Sequence, residues 1–196
     1  TFALSAAGAT DLQSLTAAGN VTVTLSAGDL TVGSLTATGK AVSLSTVGAV
    51  VDGDTTTDIT AESLSITAAS VGGSTDSLDT DVANVTLSIT GSTYVNEANA
   101  LNVVSASTGL FSLTGAGATV LTSVTATGDV TVSLSAGDLT VGSLTATGKA
   151  VSLSTVGAVV DGDTFTDITA ESLSITAASV GSSTDSLDTD VANLTL

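Results

Sequence analysis

Most of this chain is written twice. Residues 1–87 recur as residues 110–196 at a constant offset of 109, and 74 of the 87 aligned pairs are identical. From Leu25 to Leu87 three positions differ: Thr56 becomes Phe165, Gly73 becomes Ser182 and Val85 becomes Leu194. Residues 88–109, SITGSTYVNEANALNVVSASTG, occur once. Such self-similarity is the mark of stacked units that bury their apolar faces against their neighbours. The expected organisation is repeat 1 at 1–109 and an incomplete repeat 2 at 110–196, forming one continuous solenoid and not independent domains. The second copy stops at Leu196, where the first continues into Ser88, so the chain reads as a window on a longer array.

A shorter period lies inside the long one. Ser14–Gly19 (SLTAAG) returns as Ser34–Gly39 (SLTATG), and Ser123–Gly128 (SVTATG) as Ser143–Gly148 (SLTATG), both 20 residues on. Within that unit the apolar residues alternate. Val21, Val23 and Leu25 are separated by Thr22 and Thr24; Leu64 and Ile66 by Ser65; Val85, Leu87 and Ile89 by Thr86 and Ser88. Successive strand side chains point to opposite faces, so each segment has one apolar face and one hydroxyl face. Gly-Asp, Gly-Asn, Gly-Lys and Asp-Gly pairs punctuate the strands as turns.

Two all-β architectures satisfy this pattern. A tandem array of sandwich domains, each of roughly 100 residues, matches the long period. A parallel β-helix with coils of about 18–20 residues matches the short one. The sandwich should bury large aromatics between its sheets, and the chain has one Tyr, three Phe and no Trp. A β-helix needs only Val, Leu, Ile and Ala to fill its narrow lumen, with Gly and Ala at the corners, and it is the reading adopted. Val21, Val23, Leu64, Ile66, Val85, Leu87 and Ile89 should then point into one lumen, with coils ~4.8 Å apart. Five or six coils per long repeat would give roughly eleven coils over about 50 Å of rod.

At this point the residues resemble a family. ITAESLSITAASVGGSTDSLDTDVANVTLSIT (59–90) and YVNEANALNVV (94–104) are similar to the filamentous-haemagglutinin-like repeats of giant bacterial surface and adhesin proteins. The resemblance implies a right-handed β-helical stalk, secreted or held at the cell surface, used in adhesion, aggregation or matrix formation. The expected function is a structural segment of a repetitive fibre. The alternatives are the stalk of an adhesin whose binding tip lies elsewhere, or a calcium-stabilised surface-layer component. Phe2–Ala3–Leu4 begins as strand and Asn193–Leu194–Thr195–Leu196 stops inside one. The expected partners are therefore further copies, by self-association, or neighbouring repeats of the same polypeptide.

Composition narrows the function classes. Nineteen carboxylates against two cations, Lys40 and Lys149, give a net charge of −17. That field repels nucleic acid and anionic membrane surfaces, and it suits solubility and cation binding. A mean hydropathy of +0.56 opposes disorder. With no Cys there is no disulfide framework or thiolate site, and no apolar run is long enough to span a bilayer. His, Cys and Arg are all absent, so the usual general base, the thiolate nucleophile and an anion clamp are missing, and the expectation is no enzyme. Paired carboxylates can hydrolyse glycosides, but the aromatic platforms that hold sugar are missing too. Outward Thr rows suit an ice lattice, yet Ser replaces Thr freely here and acidic turns interrupt the rows.

The acidic turn VVDGDTTTD places Asp52, Asp54 and Asp58 together, with Glu62 close by; its copy is Asp161, Asp163 and Asp167 with Glu171. Clustered carboxylates favour hard cations such as calcium, so these six aspartates are the candidate metal ligands, although the spacing departs from an EF-hand loop. A solvated excursion from the coil explains the same residues. Asp76, Asp79 and Asp81, with copies Asp185, Asp188 and Asp190, form a second acidic group open to both readings. Asn84 and Asn193 are expected to be buried caps that bond backbone amides of adjoining coils. Asn20, Asn84 and Asn193 also match the Asn-x-Thr acceptor pattern, which a Thr-rich sequence produces by chance.

Overall fold

The computed structural model describes all 196 residues. It contains 22 strands and no helix, and every strand pairing is parallel. The chain is a β-solenoid of about 9 coils. Each coil has three strand segments joined at tight corners, and each segment bonds to its counterparts in the coils before and after. The face-to-face antiparallel sheets of the sandwich alternative do not occur.

Alternation accounts for the core. The strand Val21–Leu25 buries Val21, Val23 and Leu25 and exposes Thr22 and Thr24. Leu64, Ile66, Val85, Leu87 and Ile89 are likewise buried, all belonging to one cluster of 44 buried apolar residues that runs from Val21 to Ile175 through both copies. The side chains stack like on like. One column reads Phe2, Val21, Val42, Leu64, Val85, Val103, Leu121, Val141 and Asp161. Successive members are 18 to 22 residues apart, a slightly wider range than expected. The longer coils carry the acidic turn or the Thr-Gly-Lys corner, where the register slips between Ala37 and Ala41 and again between Ala146 and Ala150. These insertions leave about 9 coils where roughly eleven were expected.

Corners are held by short side chains and by glycine. Gly28 has φ +79°, and a side chain on Gly48, one coil on, would collide with the Gly28 carbonyl and the Asp29 carboxylate. Asp29 Oδ1 instead accepts from the Ala49 N–H at 2.8 Å, and its copy Asp138 accepts from Ala158 at 2.7 Å. Asn20 accepts from the Ala41 N–H at 3.2 Å. That is the capping role expected of Asn84 and Asn193, and the expectation is corrected. Asn84 is half-buried and sits in a side-chain ladder, accepting from Asn102 at 3.2 Å, while Asn193 is exposed.

The two copies do not occupy equivalent faces. Phe2 opens the column given above, but its copy Phe111 lies in a different one: Thr10, Leu30, Val50, Val71, Thr93, Phe111, Val130, Val151, Leu173, Leu194. Leu12 lies in line with Val32 and Asp52 on that second face, whereas its copy Leu121 follows Val103 on the first. One long repeat is therefore five coils plus one face, and repeat 2 is turned by a third of a coil relative to repeat 1. Pyrene labels report this directly. Cysteines replacing Tyr94 and Ser112, which pair across adjacent strands, should give excimer emission, and cysteines replacing Asn102 and Ser112 should give none. The opposite outcome would mean that each repeat fills a whole number of coils.

Candidate functional site

The acidic turns leave the solenoid where an inward position is taken by a carboxylate. Asp52 follows Leu12 and Val32 in register, and Asp161 follows Leu121 and Val141. Both aspartates are buried. The chain then loops out through Asp54 or Asp163 and returns at Asp58 or Asp167, which joins the backbone ladder. The Leu35 N–H donates to the Asp58 carbonyl at 2.6 Å and the Asp58 N–H to the Asp79 carbonyl at 2.9 Å.

The three carboxylates of each turn are pinned in the same way. In the first copy, Asp52 Oδ1 accepts from the Asp54 N–H at 2.8 Å, Asp54 Oδ1 from the Thr56 N–H at 2.6 Å, and Asp58 Oδ2 from the Asp79 N–H at 2.8 Å. In the second copy, Asp161 Oδ1 accepts from the Asp163 N–H at 2.8 Å, Asp163 Oδ1 from the Phe165 N–H at 2.7 Å, and Asp167 Oδ2 from the Asp188 N–H at 2.7 Å. One oxygen of each carboxylate is thus fixed by a backbone amide. Asp58 and Asp167 are fully buried, and their remaining Oδ1 atoms have no partner. Desolvation pushes the Asp58 carboxyl up to about 8, with the charge of Asp52 adding to it. It pushes Asp167 up to about 6, and it raises Asp52 as well. Glu62 and Glu171 are exposed and take no part in these contacts.

The two turns differ at one side chain. Thr56 donates its hydroxyl to Asp54 Oδ1 at 2.6 Å in addition to its N–H, and these two bonds hold Asp54 below the usual carboxylate range. Phe165 has no hydroxyl and lies exposed to solvent, so Asp163 has the backbone bond alone. In the second copy one oxygen from each of Asp161, Asp163 and Asp167 comes within 4.8 Å of the others. Of the six aspartates expected to hold a cation, these three are the ones the fold gathers this closely.

The second acidic group has another role in repeat 1. Asp79 Oδ1 accepts from Asn96 Nδ2, and Asp81 Oδ1 from Asn99 Nδ2, both at 2.8 Å. Their partners come from the segment that occurs once. That segment also carries an interior carboxylate that the sequence analysis passed over. Glu97 is 1 % exposed and stacks between Thr80 and Gly115 in the lumen. It accepts from the Thr80 hydroxyl at 2.8 Å and from the N–H groups of Val82 and Asn99 at 3.1 Å. Strand parity placed it beside Val95 and Thr93, and that was the available signal. Nearby, Thr93 and Thr108 share a buried hydroxyl contact at 2.9 Å.

No family model, no curated protein and no solved structure matches this chain. The site must be read from its own chemistry. Fixed acidic oxygens at the solenoid corners can hold hard cations or share protons, and the internal glutamate ties three backbone segments together.

Burial pushes Glu97 up to about 7 against 4.5 in the unfolded chain, despite its three donors, with the charge of Asp81 acting in the same direction. The folded state therefore holds the proton that the unfolded state releases, and stability falls as pH rises from about 4.5 to about 7. The loss attributable to Glu97 is on the order of 3 kcal/mol. Denaturant titrations at pH 5 and pH 8 should show this loss, and Glu97→Gln should reduce it while keeping the acceptor. An unchanged pH dependence in Glu97→Gln would mean that Glu97 ionises as readily folded as unfolded.

Proposed function

We propose that this chain is a structural length of a repetitive fibre, secreted or carried at the cell surface, in which repeats follow one another or copies associate end to end. The observation that carries the reading is the continuity of the lumen. The column from Thr10 to Leu194 passes from one copy into the next with the same parallel pairing and no break in the buried cluster. A near-identical repeat laid along a single core makes length, and it duplicates its acidic turns without assembling them into one cleft.

One further feature supports it. The outer faces are rows of Ser and Thr with acidic corners, a hydrated surface that keeps a rod apart from nucleic acid and anionic lipid.

The test is length. Each added repeat of 109 residues contributes five coils and one face, about 26 Å of rod at ~4.8 Å per coil. Small-angle scattering on chains of one, two and three long repeats should show the maximum dimension rising in these steps at constant cross-sectional radius. Growth in cross-section, or beads joined by flexible linkers, would overturn the fibre reading.

A further inference from the structure

We propose that the turn of the second copy is a calcium site, in which Asp161, Asp163 and Asp167 each supply one oxygen. The cluster of acids alone does not carry this. What carries it is the Oδ1 atom of Asp167, buried and without any hydrogen-bond donor in a side chain that is 0 % exposed. A buried carboxylate oxygen with no partner is unfavourable, and one oxygen from each of Asp161, Asp163 and Asp167 lies within 4.8 Å of the others. A cation satisfies all three at once.

The ligand set favours Ca²⁺. Mg²⁺ sheds its water reluctantly and is usually held by one or two carboxylates in a strict octahedron, whereas Ca²⁺ accepts several carboxylate oxygens in flexible geometry. Three oxygens within 4.8 Å of one another can share one Ca²⁺ at Ca–O distances of about 2.3–2.6 Å. A backbone bond fixes one oxygen of each of Asp161, Asp163 and Asp167, so the carboxylates are positioned before the ion arrives. Asp163 is exposed, which gives the ion a way in and leaves room for water to complete its coordination. Both lysines lie at exposed Thr-Gly-Lys corners.

The same reasoning makes the first copy the weaker site. Thr56 supplies Asp54 with a second donor, and the gathering within 4.8 Å belongs to the second copy alone. Replacing Thr56 by Phe165 removes that competing donor. The substitution therefore separates two otherwise duplicate turns into one whose three carboxylates are gathered and one whose Asp54 is held by two donors.

Calorimetric titration of the 196-residue chain with CaCl2 and with MgCl2, at about 0.15 M NaCl to screen nonspecific attraction, tests this. One calcium per chain is expected, with magnesium at least tenfold weaker. Asp163→Asn keeps the Oδ1 acceptor for the Phe165 N–H, so its circular dichroism and its melting temperature without calcium should match the parent. Its calcium affinity should drop at least tenfold, while Asp54→Asn should stay within twofold of the parent. Absence of binding, two equal sites, equal affinity for magnesium, or equal loss in the two variants would each overturn the assignment. None of these outcomes bears on whether the chain forms a rod, which the scattering measurement decides separately.

Discussion

Each coil of this protein bonds only to the coil before it and the coil after it, so every inward side chain must fit the one directly above and the one directly below. The parallel backbone ladder imposes that rule. It explains why the lumen is filled by residues of similar volume in unbroken columns and why aromatics are scarce. It also explains how Phe111 fits: its neighbours in the column are Thr93 and Val130, smaller side chains that leave it room. Because all contacts are local to adjacent coils, a polar residue can enter the lumen wherever its own two neighbours satisfy it.

The chain uses that freedom in two ways. In the segment present once, Thr93, Glu97 and Thr108 turn inward and bond one another's strands, so a seam of hydrogen bonds replaces apolar stacking where repeat 1 meets repeat 2. In the acidic turns an aspartate takes the inward place and the strand ends. The first arrangement closes on itself, with every polar oxygen of Glu97 accepting a bond. The second leaves Asp58 Oδ1 and Asp167 Oδ1 without donors. That contrast separates a carboxylate that serves the fold from one that is left available.

Much of this was legible in the residues. Period-two alternation placed Val21, Val23, Leu64, Ile66, Val85, Leu87 and Ile89 inside, and the scarcity of aromatics separated solenoid from sandwich. The acidic turn was visible as a cluster, but not which of its atoms would be buried. The burial of Asp58 depends on Asp79, 21 residues on, supplying the amide that draws it into the ladder. Asn84 departs from a buried amide cap because a corner Asn has two neighbours: its Nδ2 donates to the Glu62 carbonyl in one coil and its Oδ1 accepts from Asn102 in the other. Glu97 obeyed strand parity, yet a charged residue at an inward position reads as an exception until its three donors are seen. The offset between copies lay in plain arithmetic, since 109 is not a multiple of a coil near 20 residues.

That offset decides what a neighbour of the rod would encounter. In any array continuing this pattern, a given outer face returns to the same side only after three long repeats and 16 coils, about 77 Å along the axis at ~4.8 Å per coil. Equivalent acidic corners wind around the axis in steps of a third of a turn and form no stripe. A flat partner lying along one side meets each motif at wide intervals and gains little from multiple attachment, whereas a partner that wraps the rod meets it three times as often. Charge would be distributed by the same winding, so an array of such repeats, at −17 per 196 residues, would spread its acidic corners around the axis and gather them on no single edge.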